Sequence, residues 1–127
     1  MTRKELIEKF MILAKQTLSF AKMVIEADDY TVLDSEVFDL DDEDFKRGLL
    51  LVIAGIPSST IDEFYTNRIS YTKDKYKRIY KTITKRAVLG IQAKESPYGL
   101  FYLLPSYIDL SKKERYKLED FLNDEED

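Results

Sequence analysis

KRGLLLVIAGIPSSTIDEFYTNRI, residues 46–69, is a basic pair, an apolar run at helical spacing, a Gly and Pro break, and a second apolar run that closes on isoleucine. KRAVLGIQAKESPYGLFYLLPSYI, residues 85–108, repeats that order 39 residues later. Laid over each other, Lys46 falls on Lys85, Arg47 on Arg86, Leu50 on Leu89, Val52 on Ile91, Ala54 on Ala93, Ile61 on Leu100 and Ile69 on Ile108. Internal similarity of this kind sets architecture before any single residue does. It predicts two similar helix-break-helix units.

The segments on either side read as helix too. Thr2 with Glu5 three positions on is a capping-box signature, and Leu6, Phe10, Leu13, Ala14, Leu18, Ala21, Val24 and Ile25 then recur at helical spacing over about 25 residues. Residues 26–44 read as a loop or short helix, with Asp39, Asp41 or Asp42 supplying the N-cap of a helix over 42–54. Gly55 and Pro57 stop that helix. Ser58, Ser59 and Thr60 cap the next, which weakens at 70–72 and resumes over 73–93. Pro97 suits the first turn of a short helix that ends before Pro105, and Ser111 with Glu114 opens a terminal helix. No alternating strand pattern is present. The chain therefore reads as all-α: a compact bundle of five to six helices, one domain over 1–122, and an acidic flexible tail over 123–127.

Its 127 residues suffice for one core, and 44% apolar with 35% charged content is that of an ordered chain. Cysteine and histidine are both absent. That removes disulfides, thiolate metal sites, the commonest general base and every Ser-His or Cys-His mechanism. No phosphate-cradling glycine loop is found, no catalytic residue is assigned, and no cofactor is expected. The charged N-terminus lacks a signal-peptide core, and the longest apolar run is far short of the roughly 20 residues that span a bilayer. A soluble, cytoplasmic protein is expected.

The net charge of -4 hides two poles. Residues 26–44 hold ten acidic residues and no basic one, whereas residues 68–86 hold eight basic residues against the single Asp74. Lys73, Lys77, Lys81 and Lys85 repeat every four residues, so they share one helix face, with Tyr76, Ile79, Ile83, Ala87 and Val88 on another. Three readings stay open: solvated faces that attract each other, a protein partner with complementary poles, and nucleic acid or anionic lipid on the lysines. The acidic net charge and the lack of a nucleic-acid-binding motif weigh against the last. The candidate partner-binding residues are Asp28, Asp29, Asp34, Glu36, Asp39, Asp41 and Asp42 on the acidic face. On the basic face they are Lys73, Lys77, Arg78, Lys81 and Lys85. No metal site is assigned: an EF-hand register from Asp39 puts Asp44 where glycine is needed and Leu50 where the bidentate Glu is needed.

LDSEVFDLDDEDFKRGLLLVIAGIPSSTIDEFYTNRI, residues 33–69, resembles the cytoplasmic segment of the flagellar stator family MotA. That family reads approximately L-E-E-E-I-x-D-x-D-D-P-F-x-K-x-G-L-x-L-V-V-D-G-T-D-P-E. AVLGIQAKESP, residues 87–97, is similar to the A-I-L-A-I-Q-x-G-E-N-P that follows the family's last membrane helix, before a helix ending in S-Y or S-F, here Ser106 and Tyr107. Gly48, Gly55, Ile91, Gln92 and Pro97 are the better markers, and the two pieces keep the family's order. The resemblance implies a non-enzymatic helical scaffold that acts through protein contacts, with a flagellar-motor component as partner. It implies no ion path, because the family's four membrane helices have no counterpart here. Ala54 stands where the family has Asp, and residues 26–29 are acidic but for Ala27 where the family has a basic pair used against the rotor. The rival reading is a helical adaptor or regulator outside motility, with an acidic partner on the lysine stripe. Homo-oligomerisation is left open.

Overall fold

Thr2 starts the fold: its hydroxyl accepts a hydrogen bond from the Glu5 N–H at 3.1 Å and opens helix α1, Arg3–Ala27. The computed structural model describes the backbone of residues 1–126 and the side chains of residues 1–123. Among these residues every regular element is helical. A 3-10 turn, Tyr30–Leu33, and a single turn, α2, Asp34–Phe38, lead to α3, Glu43–Ile53. Of the three aspartates available, Asp42 caps α3 by accepting from the Phe45 N–H at 3.1 Å. α4, Ser58–Tyr71, and α5, Lys75–Gln92, follow, then α6, Pro97–Leu103, a 3-10 turn, Leu104–Tyr107, and α7, Lys112–Glu126. Ser111 and Glu114 form the reciprocal capping box at α7, at 3.1 and 2.8 Å. The expected acidic tail, residues 123–127, lies for the most part outside the described side chains.

Seven α-helices exceed the five to six expected, for two local reasons. The acidic segment condenses into α2, because Leu33 and Val37 are fully buried and fix one turn between them. The weakening at 70–72 is a complete break, because Thr72 is extended and Asp74 caps a new helix through the Lys77 N–H at 3.0 Å. The self-cap expected from residues 58–60 does not form. Pro57 occupies the N-cap position of α4 with extended backbone and no side-chain cap bond.

The sequence repeat is a repeat of structure. α3 ends where the Ile56 N–H reaches the Leu51 carbonyl and the Gly55 N–H reaches Val52, both at 3.0 Å. α5 ends where the Glu95 N–H reaches the Gly90 carbonyl and the Lys94 N–H reaches Ile91, both at 3.1 Å. This paired pattern is the Schellman motif, and it needs a left-handed residue just past the helix. Gly55 holds that place at φ 78, and Lys94, 39 residues on, holds it at φ 54. Behind each corner the same register is buried: Leu49 and Val88, Val52 and Ile91, Ile61 and Leu100, Tyr65 and Leu104. Gly55→Ala meets no atom within 4 Å, so its cost is backbone strain alone. We expect a loss of about 1 kcal/mol in urea unfolding, with unchanged helix content by circular dichroism.

α5 is the central rod. Asp74 at its start meets the Met1 ammonium at 2.8 Å and Lys94 at its end meets Asp28, so α1 and α5 run in the same direction. α3, α4 and the second 3-10 turn also pack on α5, while α6 packs on α1. α3 comes closest through Gly48: a Cβ there would lie 1.9 Å from the Tyr65 hydroxyl and 2.8 Å from Val88 Cγ2. The core between them is apolar, with Phe10, Phe45, Ile83 and Phe101 among its fully buried side chains. Each such side chain contributes about 1.5–3 kcal/mol by leaving water.

Candidate functional site

The N-terminal end of α3 carries Asp42 and Asp44 directly onto α4 and α5. Lys81 Nζ from α5 hydrogen-bonds Asp44 Oδ2, and Arg68 Nη2 from α4 lies 2.6 Å from Asp44 Oδ1. Tyr65 donates its hydroxyl to the Asp44 carbonyl at 2.6 Å, and Tyr80 donates to the Asp42 carboxylate. One polar node thus ties three helices together at the edge of the core. Burial alone pushes the Asp44 carboxyl up, but Lys81 and Arg68 outweigh it and hold the group below its ordinary value. Burial, then the neighbouring Asp44 and Asp42 charges, push the Tyr65 hydroxyl far up. Burial and Asp42 do the same at Tyr80. An ionised Asp44 beside two protonated phenols is the state these hydrogen bonds require.

The expected basic face divides in two. Lys81 is held by Asp44, and Lys85 by Asp62 of α4 at 2.8 Å. These two lysines staple helices together. Lys73, Lys77 and Arg78 are exposed and form no ion pair among the described residues, and the Arg78 side chain donates to the Thr72 carbonyl at 3.1 Å. Lys73 falls in the break before α5, so it does not share the helix face expected from the four-residue spacing. The acidic face divides likewise. Asp28 pairs with Lys94, Asp29 accepts from the Thr31 N–H at 3.0 Å, and Asp42 caps α3. Asp34, Glu36, Asp39 and Asp41 stay exposed, with no ion pair among the described residues. Among the described ion pairs, residues 26–44 and 68–86 meet through Asp44 with Arg68 and Lys81. An excess of each sign is left elsewhere.

Sequence reasoning did not single out Asp44, Arg68, Tyr65 or Tyr80 as a group. Asp44 and Arg68 lie inside the two charge runs, but nothing in their spacing says that they meet. The same holds for Gln92, whose side-chain amide donates to the Ile56 carbonyl at 2.8 Å while its backbone carbonyl accepts from the Tyr30 hydroxyl. Gln92 fastens the first corner to the start of the second.

Between the end of α4, the exposed side of α5 and the second 3-10 turn runs an open groove of about 610 Å³. Ile69, Ile79 and Tyr107 line it with apolar surface, and Lys73, Lys75 and Arg78 rim it with positive charge. Among the described residues no helix is long and apolar enough to cross a membrane. The fold and these faces define an all-α bundle of two like helix corners around a central helix. No family model, no curated protein and no solved structure matches the chain.

Proposed function

We propose that this chain is a non-enzymatic, cytoplasmic interaction module built on the scaffold of the cytoplasmic part of a MotA-type stator. In this reading it serves as a flagellar-motor accessory or a membrane-free relative of the stator. The observation that carries the interaction role is the uncompensated basic charge at the start of α5. Lys73 in the break before α5, and Lys77 and Arg78 near its start, form no ion pair among the described residues, while Lys81 and Lys85 further along are held by Asp44 and Asp62. Lys73 and Arg78 rim the apolar groove, and exposed charges of one sign beside such a surface steer and orient a partner more than they stabilise a fold. The resemblance supplies the partner class. Its two pieces, residues 33–69 and 87–107, hold the two like corners, and residues 70–86, where the family has two membrane spans, form the end of α4, the break and most of α5.

Replacing Lys73, Lys77 and Arg78 together by Glu tests the interaction role. Partner capture should be lost, while the unfolding free energy moves by no more than about 1 kcal/mol, as for exposed positions without buried contacts. A variant that unfolds, or that captures the same proteins as the parent, contradicts the role. The adaptor reading outside motility is favoured by the groove itself, whose basic rim and apolar floor suit any acidic amphipathic segment. Recovery of partners without a motility component selects it.

A further inference from the structure

We infer that the chain associates head to tail with copies of itself, the acidic α2 knuckle of one copy seated in the basic groove of the next. Phe38 at the end of α2 is 78% exposed, although it is a large aromatic ring next to a core residue, Val37. Lys46 holds the knuckle in shape by donating to the Phe38 carbonyl at 3.1 Å, with its ammonium 5.5 Å from the ring centroid. Asp34 and Glu36 on α2 and Asp39 just after it are exposed and form no ion pair among the described residues. The knuckle is thus an exposed aromatic anchor on a turn that carries three carboxylates.

The groove is its complement. Ile69, Ile79 and Tyr107 offer the apolar floor that an aromatic ring seeks, and Lys73, Lys75 and Arg78 offer one cation for each of the three carboxylates. Arg78 supplies planar donors suited to a carboxylate, which a point charge does not. A membrane surface would use the cations but not the concave floor, and a nucleic acid would leave the isoleucines uncovered. An acidic segment with an aromatic anchor uses both, and this chain displays one.

The two surfaces lie on different elements: α2 packs on α3 and the first 3-10 turn, whereas the groove opens between α4 and the second 3-10 turn. A contact between unlike patches is heterologous, so each copy keeps one free knuckle and one free groove, and assembly continues to a ring or a chain. This inference uses the free basic face but does not depend on a motility partner.

Two full-length variants separate the halves. The groove variant carries Lys73→Glu, Lys75→Glu and Arg78→Glu; the knuckle variant carries Glu36→Lys, Phe38→Ser and Asp39→Lys. In sedimentation equilibrium at low salt, the parent should rise with concentration above its 14.9 kDa mass, and each variant alone should stay at it. A mixture of the two should regain association, starting with a species of twice that mass, because the intact knuckle of one variant meets the intact groove of the other. Raising the salt to about 0.5 M should dissociate it, because surface charges are screened. A monomeric parent, or variants that stay apart on mixing, overturns the inference, as does binding of anionic vesicles or RNA by the groove with no mixed species. The measurement uses purified protein only, so its failure is distinct from failure to find a motor partner in the cell.

Discussion

Gly48→Val should lower the unfolding free energy by about 3 kcal/mol or more, the largest single effect expected outside the apolar core. Even the first added carbon would sit 1.9 Å from the Tyr65 hydroxyl, 2.8 Å from Tyr65 Cζ and 2.8 Å from Val88 Cγ2. Tyr65 cannot swing away freely, because it is 0% exposed and its hydroxyl is anchored on the Asp44 carbonyl. Val88 belongs to α5, so relief there would push apart the two helices that bear the repeat. A double-mutant cycle locates the clash. Tyr65→Phe removes the nearest atom, so Gly48→Ala should cost roughly 1 kcal/mol less in that background than in the parent. Additive costs would show that the close approach of α3 to α4 and α5 is not what the glycine provides.

Asp44→Asn should remove about 2–3 kcal/mol at neutral pH, because Lys81 and Arg68 would keep their charge at a half-buried site without the carboxylate between them. The pH dependence identifies the group. The folded-state pKa of Asp44 lies below its ordinary unfolded value of about 3.9. Its stabilisation is then complete above that value and is lost as pH falls through the lower, folded-state pKa. The difference between parent and variant should be constant from neutrality to about pH 5 and shrink below about pH 4. Glu114, held at about 2 by its hydrogen bonds from Arg3 and Ser111, adds an acid limb common to both proteins. A difference that persists undiminished to about pH 2 would mean that the charge of Asp44 is not what joins the three helices.

The local chemistry of the chain was readable because it acts within one or two turns. Thr2 and Glu5, Asp42, Pro97, and Ser111 with Glu114 all punctuate helices as such residues do. The 39-residue offset even located both corners. Lys94 could not be foreseen in a left-handed place, since only its alignment with Gly55 marks it. Ser58 to Thr60 misled because they lie just inside the helix: Pro57 takes the N-cap place, where its carbonyl accepts from the Thr60 and Ile61 N–H groups. The basic stripe is one face by periodicity, and periodicity cannot tell which of its lysines have a carboxylate waiting on another helix. Lys81 finds Asp44 and Lys85 finds Asp62 across tertiary contacts, and only the packing of α3 and α4 on α5 decides that Lys73, Lys77 and Arg78 are the ones left over.

A photo-crosslinking amino acid at position 77, expressed in the native cell, tests the central claim most directly. The side chain of Lys77 is exposed near the start of α5, and Lys113 at the start of α7 serves as an exposed control on another helix. The proposed function predicts a covalent adduct with a flagellar-motor protein at position 77, absent at position 113 and absent when Lys73 and Arg78 are changed to Glu. Adducts of equal yield at both positions, or none with a motor protein at position 77, would contradict it.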